Sequence, residues 1–329
     1  MYDVIMATYN GEKYVVEQLD SIINQTIKPN TVIIRDDCST DNTVKIINDY
    51  IKKYTGDVNF EILDSTKNLG YIKNFEALAK AARSEFVFFC DQDDVWINNK
   101  AETFLKRAEE KPNVNLLFSD ARLVDDKLQN IGFLWENIKF DPTQELTLPR
   151  LFKKSIVTGA TMLCRRDFLQ SLIPFPENLP HDLWLSTCST YEGSIDFCND
   201  QLVKYRQHSN NQIGVKRSHF IKKIVTPFEP DKIKYRIAHY RNNYLTNESM
   251  ATFLLGYSNS KEYHEIKSFL IFIGKIYNIN FYKCAGKHSF TQSIKAYIKY
   301  NDKKNVLFNM IDLIYVHIFG IKKESVNED

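Results

Sequence analysis

The chain has 329 residues, a formal net charge of +2, 43% hydrophobic residues and 26% charged residues, which is ordinary globular composition. That length accommodates one large domain with an appendage, or two domains. No apolar stretch is long enough for a membrane-spanning helix, and no basic, apolar leader opens the sequence, so we expect neither a spanning helix nor a secretory signal.

The cysteines are scattered and form no CxxC pair. Several lie inside apolar runs, so we expect reduced core thiols in a reducing compartment rather than disulfides or a zinc site. The six positions are Cys38, Cys90, Cys164, Cys188, Cys198 and Cys284.

Two hydrophobic periods alternate along the first 120 residues. Short apolar runs rich in β-branched and aromatic residues predict strands at 3–8, 31–37, 59–64, 85–91 and 114–120. Helical patterns lie between them at 12–25, 41–54, 71–82 and 98–110. This alternation indicates an α/β fold with a parallel sheet and helices on both faces, and strands that are apolar throughout fit burial on both sides.

The predicted strands end in polar or acidic residues. In parallel α/β sheets, ligands bind beyond the carboxyl ends of the strands, so we expect the groups at these ends to gather along one rim. These groups are Thr8-Tyr9-Asn10, Asp36-Asp37 and Asp91-Gln92-Asp93-Asp94. No GxGxxG or GxxxxGK[ST] pattern is present, so neither the usual dinucleotide fold nor a P-loop is predicted.

Three carboxylates crowd the end of one buried strand, at Asp91, Asp93 and Asp94. They should repel one another, and a divalent cation, which takes oxygen ligands, would cancel that repulsion. The alternative is a solvated turn, since aspartate is common where a strand stops.

The regular pattern weakens between 121 and 158. The segment 131–144 reads as a loop or lid, or as core around Phe133, Trp135 and Phe140. After it, 157–169 predicts a strand that enters a helix, with Gly159 allowing close backbone approach. A further helix is predicted to start after Pro180, with its first turn placing a carboxylate where the helix dipole favours it.

The charge changes sign near residue 215. Residues 215–329 hold 19 Lys and Arg against 10 Asp and Glu, whereas the rest holds 24 against 31, and this shift predicts a domain boundary at 214/215. The region reads either as a helical subdomain that packs or forms a homodimer, or as an amphipathic attachment to an anionic membrane surface. Nucleic acid is not an expected partner, because no recognised module is visible.

Seven blocks occur in an order that resembles family-2 nucleotide-sugar glycosyltransferases, especially their rhamnosyltransferase-like bacterial branch. They are "VIMATYNGEKYVVEQLDSIINQT", "VIIRDDCSTDNT", "NLGYIKNFEAL", "FVFFCDQDDVW", "TGATMLCRR", "HDLW" and "YRQHSNNQIG". The resemblance covers residues 1–214 and implies a Rossmann-like GT-A fold, with a nucleotide-sugar half over 1–120 and an acceptor half over 121–214. It also implies a nucleotide-diphosphate sugar donor, a Mg²⁺ or Mn²⁺ ion and inversion at the anomeric carbon.

The resemblance also implies roles for individual residues. Asp37 would accept a hydrogen bond from the ring N–H of the base, and the direct metal ligand is open between Asp93 and Asp94. The implied nucleotide-sugar residues are Thr8, Tyr9, Asn10, Glu12, Asp36, Asp37, Gly70, Asn74, Asp91, Gln92 and Asp93. The implied metal ligands are Asp91, Asp93, Asp94 and His208.

Asp182, in "HDLW", would be the catalytic base; the alternative is a helix-start residue without chemistry. Weaker acceptor or diphosphate assignments fall on His181, Trp184, Arg206, Gln207 and His208. For His181 the alternative is a surface residue at the helix start, for His208 a structural or solvent-facing residue, and for Trp184 and Trp96 a place in the core.

Together these features predict an inverting, metal-dependent glycosyltransferase that builds a bacterial surface polysaccharide such as capsule or cell wall. The expected donor is dTDP-rhamnose or a UDP-hexose, either glucose or galactose, and the expected acceptor is a glycan or a lipid-linked oligosaccharide. The expected location is cytoplasmic, or peripheral on the inner membrane face. The alternatives are a metal-dependent phosphohydrolase or pyrophosphatase, and a catalytically silent sugar-nucleotide binding protein.

Overall fold

The structure is a computed structural model that describes residues 1–147, 151, 156–177 and 179–207. The chain divides into two compact units, Met1–Val215 and Lys216–Asp329, and the described residues all belong to the first. The predictions for the basic region 215–329, its membrane and dimer roles included, and those for His208 lie outside the described residues.

Within the described residues, nine strands form one sheet in the order β3-β2-β1-β4-β8-β6-β9-β5, with β7 paired to β6. The strands are β1 (Tyr2–Thr8), β2 (Thr31–Asp36), β3 (Asn59–Ile62), β4 (Phe86–Asp91), β5 (Val95–Trp96), β6 (Leu116–Val124), β7 (Asn130–Phe133), β8 (Met162–Arg165) and β9 (Ile195–Arg206).

The helices that flank this sheet are α1 (Val15–Ile23), α2 (Thr43–Lys53), α3 (Gly70–Ala81), α4 (Lys100–Glu110), α5 (Leu134–Ile138), α6 (Pro142–Glu145), α7 (Arg166–Ser171) and α8 (His181–Tyr191). A short 3₁₀ turn, Gly159–Thr161, precedes β8. The predicted α/β architecture is confirmed: the five predicted strands correspond to β1, β2, β3, β4 and β6, and the four predicted helices to α1, α2, α3 and α4. The two-residue strand β5 was not predicted.

The helix starts differ from the predicted ones because polar groups hold the preceding residues in turns. The Gly11 carbonyl accepts the amides of Tyr14 and Val15, at 3.0 and 3.1 Å, so α1 begins at Val15 rather than residue 12. Before α2, the amide of Asn42 donates to the Glu12 carboxylate, and α2 begins at Thr43 rather than residue 41.

The two halves of the sheet differ in strand direction. β3, β2, β1 and β4 are all parallel, as predicted for βαβ units. β8 then runs antiparallel to both β4 and β6, and β9 runs parallel to β6. The sheet is therefore mixed, and only its first half matches the expected parallel pattern.

The strand predicted at 114–120 continues past its acidic residue to Val124. Asp120 is buried inside this strand, where it accepts the amides of Trp135 and Ala121. Its carboxylate satisfies backbone donors and does not mark a strand end. In the segment after it, Trp135 and Phe140 are both buried and pack edge-to-face, which confirms the core alternative for these two residues.

The remaining sequence predictions concern thiols and membranes. The described cysteines are all free thiols, and Cys90, Cys164, Cys188 and Cys198 are buried while Cys38 is half-buried. Among the described residues, no helix combines the length and the apolar character needed to cross a bilayer.

Candidate active site

The carboxyl ends of β1 and β2, residues 8–10 and 36–37, form what we call the strand-end rim. Thr8 lies opposite Asp36 in the parallel register, and its hydroxyl donates to the Asp36 carboxylate at 2.9 Å. The amide of Asp37 donates to the Thr8 carbonyl at 2.8 Å. On the other side of β1, Ala7 lies opposite Asp91 of β4, so the polar end of β1 lies between the acidic ends of β2 and β4, as the sequence predicts.

Asp37 is 4% exposed and accepts several N–H groups. Its carboxylate receives the Arg35 guanidinium at 3.1 Å, the Leu69 amide at 2.7 Å and the Gly70 amide at 2.8 Å. Gly70 has a φ of +73°, which glycine adopts without the strain of a side chain. Asp37 therefore anchors the start of α3 against the end of β2.

Asn74 completes this anchor from one turn into α3. Its side-chain oxygen accepts from Arg35 at 2.8 Å, and its amide nitrogen donates to the Arg35 carbonyl. Asn74 is 2% exposed, and its role in walling a nucleotide pocket stays a prediction.

Gln92 joins the strand-end rim to the next segment, residues 91–94, which we call the acidic loop. Its side chain accepts the Tyr9 amide at 2.7 Å and donates to the Tyr9 carbonyl at 2.8 Å. A Cβ at Gly11 would overlap the Gln92 side-chain oxygen. Gly11 was not predicted as a site residue. No local sequence pattern indicates its contact with Gln92, because the two residues are far apart along the chain.

Asn10 and Glu12 hold the loop that follows β2. Asn10 adopts a left-handed φ of 51°, and its side-chain oxygen accepts the Thr40 amide at 2.8 Å. Glu12 accepts both the backbone and side-chain N–H groups of Asn42. Both residues are exposed, and their nucleotide-sugar roles stay predictions.

Like charges meet in the acidic loop. Burial, and then the charges of Asp93 and Asp182, raise the pKa of Asp91 to about 7. Burial, followed by the charges of Asp93 and Asp91, raises the pKa of Asp94 well above its usual range. Burial is the larger cause of both shifts, and because Asp94 is 1% exposed, the alternative of a merely solvated turn does not fit this loop.

Asp94 is the most buried of the three, at 1% exposed. Its Oδ1 accepts the Arg206 amide at 3.0 Å, while its Oδ2 is buried without a hydrogen-bond partner among the described residues. An orphaned, buried carboxylate oxygen is the kind of atom that a divalent cation would satisfy.

The acidic loop contains oxygen donors suited to a divalent cation, but its described side chains are not arranged around a common metal position. Within the part of the chain that the structure describes, no group of three or more His, Cys, Asp or Glu side chains is placed to hold a metal ion. The predicted ligand His208 lies outside that part. Asp91, Asp93 and Asp94 fit a cation by charge and donor type.

Arg206 braces the acidic loop from β9. Its Nε donates to the Asp93 carbonyl at 2.7 Å, its Nη1 to the Asp126 carbonyl at 2.8 Å and its Nη2 to the Glu17 carboxylate. The guanidinium lies 4.4 Å from the Tyr14 ring centroid. Because Arg206 is 1% exposed, a role as a diphosphate contact does not fit. The neighbouring Gln207 is half-buried and keeps that role only as a prediction.

Asp182 lies in the first turn of α8 at 9% exposed. Burial raises its pKa to about 6, although the amides of Leu183 and Gly159 donate to it and oppose that rise. His181, the residue before Asp182, stacks on Phe89, two residues before Asp91. This contact brings the two carboxylates near each other, and the charge of Asp182 contributes to the raised pKa of Asp91.

His181 lies beneath this site and not on the surface, so the surface alternative is wrong. Its ring stacks on Phe89 with the centroids 5.3 Å apart, and its centroid lies 4.3 Å from that of Phe75. Burial lowers its pKa to about 3, so the imidazole is neutral. Neither ring nitrogen has a hydrogen-bond partner in the described residues.

Both tryptophans belong to the core. Trp184 is 3% exposed and its indole N–H donates to the Leu172 carbonyl, which leaves no face for a sugar. Trp96 is 1% exposed. The core alternative is therefore correct for both, and Trp184 is not an acceptor residue.

Two residues near the acidic loop, Lys100 and Tyr205, were not predicted as site residues. Lys100 is completely buried, which its spacing from Phe104 and Ala108 on one helical face could have indicated. Tyr205 is the other. Burial, followed by the charges of Asp94, Asp91, Asp93 and Asp182, raises its pKa well above the usual range. Its phenol therefore stays protonated and lies near the carboxylates of the acidic loop and of Asp182.

The model of the family described as Glycosyl transferase family 2 matches residues 3–173, which include the strand-end rim and the acidic loop. The chain is a family-2 glycosyltransferase. Asp182 lies beyond the matched residues.

Named relatives agree with this membership. The chain is 32% identical over 226 residues to the dTDP-rhamnosyl transferase RfbG of Shigella flexneri, covering 64% of this chain and 73% of that one. It is 25% identical over 207 residues to the UDP-Glc:alpha-D-GlcNAc-diphosphoundecaprenol beta-1,3-glucosyltransferase WfgD of Escherichia coli, covering 63% and 77%.

A solved structure is similar in fold. The crystal structure of residues 1–349 of S. aureus TarS in complex with UDP-GlcNAc matches with a TM-score of 0.58 and 20% sequence identity, over 96% of this chain and 89% of that one. At this identity the match shows the fold alone, and it confirms the predicted GT-A architecture.

Proposed function

We propose that this glycosyltransferase inverts the anomeric carbon of its donor and uses Asp182 as the general base. One observation carries the proposal: His181 stacks on Phe89 of β4, which brings the neighbouring Asp182 close to Asp91 at the end of that strand. The pKa of Asp182, raised by burial to about 6, suits a general base. A base with a pKa near the working pH is ionised at pH 7 and still accepts a proton effectively.

The reaction follows from this placement. The acceptor hydroxyl oxygen bonds to the anomeric carbon, its proton passes to the Asp182 carboxylate, and the bond from that carbon to the diphosphate oxygen breaks. The products are the new glycoside and a nucleoside diphosphate. A single base is sufficient, whereas a glycosidase would require a second, protonated carboxyl group.

Asp91, Asp93 and Asp94 are the candidate holders of a Mg²⁺ or Mn²⁺ ion. Bound there, the ion would supply charge stabilisation to the departing diphosphate. Because protonated carboxyls bind cations poorly and the pKa of Asp91 is about 7, metal affinity should fall as the pH drops below 7. Titration calorimetry with Mn²⁺ at pH 8 and pH 6 tests this, and equal affinities would contradict it.

The relatives support dTDP-rhamnose as the donor, with a UDP-hexose as the alternative. RfbG is named for the first, and WfgD for UDP-glucose. A thermal-shift panel of dTDP, UDP and their sugars, with Mn²⁺ or with EDTA, reports donor preference, because a ligand that binds the folded state raises its melting temperature. A metal-dependent shift with UDP and none with dTDP would eliminate rhamnose.

We further propose that the acceptor is a lipid-linked glycan handled at the cytoplasmic face of the membrane. The name of WfgD specifies a diphosphoundecaprenol-linked acceptor, and the basic region 215–329 has the charge that anionic lipids attract. Co-sedimentation with anionic and neutral liposomes at low salt tests the membrane part. Equal recovery from both would overturn it.

Asp182→Asn tests the base directly. We expect kcat to fall about 100- to 10,000-fold, the usual range for general base catalysis, with binding of the nucleotide diphosphate unchanged. Asp167→Asn is the matched control, because Asp167 is an exposed carboxylate in the first turn of another helix, α7. Near-normal turnover of the Asp182 variant would remove Asp182 from the mechanism.

A further inference from the structure

Lys100, the first residue of α4, is a buried cation that the proposed mechanism does not use. The side chain is 0% exposed, and its Nζ lies 3.7 Å from the Trp96 ring centroid. A buried ammonium is costly unless specific partners stabilise it. Such a residue in the middle of an acidic site therefore requires an explanation.

The surroundings of Lys100 supply charge but little hydrogen bonding. Burial lowers its pKa to about 7, against the opposing influence of Cys90, Asp94 and Asp91. Of the described residues, only Ala160 accepts a hydrogen bond from it, through its backbone carbonyl at 2.7 Å. The side chain thus ties α4 to one carbonyl of the 3₁₀ turn Gly159–Thr161.

That turn also carries a contact to Asp182. The Gly159 amide donates to the Asp182 carboxylate, and Gly159 packs so closely on His181 that a Cβ there would lie 2.7 Å from the imidazole Nε2. The turn is closed by the Thr161 amide and hydroxyl, which both donate to the Thr158 carbonyl. Lys100 and Asp182 therefore hold adjacent residues of the same short turn.

We propose that Lys100 is a positioning residue that places the general base by fixing the Gly159–Thr161 turn against α4. This inference rests on the proposed role of Asp182. It also explains why a lysine occupies a core position, because a long side chain that ends in an N–H donor reaches the carbonyl from the helix. Misplacing a catalytic group by about 1 Å can cost on the order of 100-fold in rate.

Lys100→Met tests this by keeping the length and apolar stem while removing the donor. We expect kcat to fall 10- to 100-fold, with the KM for the donor sugar and the affinity for nucleotide diphosphate within twofold of the native values. Lys106→Met is the matched control on the exposed side of the same helix, and it should leave both constants unchanged. An unchanged kcat, or equal losses in kcat and donor affinity, would overturn the proposal.

A double-variant cycle separates this proposal from that for Asp182. If Lys100 acts through the base, Lys100→Met should cost nothing further in an Asp182→Asn background. An additional tenfold loss in that background would show that Lys100 acts elsewhere. Full turnover of Asp182→Asn alone would instead refute the base, and with it the proposal that Lys100 positions that base.

A second variant covers the case in which Lys100→Met does not fold. Lys100→Gln keeps a polar end but is too short to reach the Ala160 carbonyl in the same way. We therefore expect a lower kcat with an unchanged KM for the donor sugar, as for Lys100→Met. A glutamine variant with native kcat would overturn the proposal.

Discussion

The strand-end rim and the acidic loop are neighbours in space, yet they treat their carboxylates in opposite ways. In the rim, Asp36 and Asp37 accept backbone amides, hydroxyls and a guanidinium. In the acidic loop, Asp94 keeps one buried oxygen without a partner in the described residues, and Asp91 faces other carboxylates. The rim thus stabilises the fold, whereas the loop retains repulsion that a ligand could relieve.

The largest expected effect tests the structural side of this contrast. Asp37→Ala removes a buried carboxylate that accepts three N–H groups and leaves the buried Arg35 without its charge partner. We expect the free energy of unfolding to fall by about 3 kcal/mol or more, since breaking a buried ion pair costs this much. Urea denaturation measures it.

Asp64→Ala is the control for Asp37→Ala, because Asp64 is an exposed carboxylate just beyond β3. It should change the free energy of unfolding by less than about 0.5 kcal/mol. Equal effects of the two substitutions would mean that the rim carboxylate is not a structural anchor.

Gly11→Ala tests the connection between the two regions. The new Cβ should displace the Gln92 side chain and break its two hydrogen bonds to Tyr9, at a cost of about 2 kcal/mol in the free energy of unfolding. Gln92→Ala is the partner variant. If displacement of Gln92 is the cause, the double variant should be no less stable than Gly11→Ala alone; additive losses would contradict this explanation.

The pH dependence of kcat tests the base. Asp182 works as the ionised carboxylate, and its pKa of about 6 lies above that of an exposed aspartate. With donor and metal saturating, kcat should be half-maximal near pH 6. Near pH 5 it should be about tenfold below its plateau, because the ionised fraction of a carboxyl group falls about tenfold for each pH unit below its pKa. If the residual kcat of Asp182→Asn still fell at low pH in the same way, that fall would belong to another group.

Asp94→Asn has the smallest expected effect on stability, and its sign is the informative part. The amide can still accept the Arg206 N–H through its oxygen, and it removes a carboxyl whose ionised form is disfavoured by burial and by the charges of Asp93 and Asp91. We expect the free energy of unfolding without metal to rise by about 1 kcal/mol, while Mn²⁺ no longer raises the melting temperature. A marked loss of stability would mean that the loop is already balanced without a ligand.

The fold prediction succeeded where local pattern and tertiary structure agree. β1, β2 and β4 are buried except at the half-buried Ala7 and Asp91, so their hydrophobicity alone identifies them. It failed at Asp120, because a buried aspartate inside β6 cannot be told from a strand-ending one by its neighbours in sequence. The same limit applies to Trp135 and Phe140, which an irregular segment carries into the core.

The predictions of site residues likewise succeeded where a local pattern is sufficient and failed where tertiary packing decides. Strand-end polar residues were found because parallel topology brings carboxyl ends together. Arg206, Trp184 and His181 were misjudged because burial depends on what packs over a side chain, and no local pattern encodes that. Lys100 was missed because a lysine at a helix start normally indicates solvent.

By itself, the sequence determined the alternation of strands and helices, the clustering of acidic strand ends and the resemblance to a sugar-transferring family, since these depend on short-range periodicity and motif order. Only the tertiary structure decided which carboxylates are satisfied and which are frustrated. That distinction depends on donors contributed by residues tens of positions away, such as the Leu69 amide for Asp37 and the Gly159 amide for Asp182, and such long-range hydrogen bonds exist only once the chain has folded.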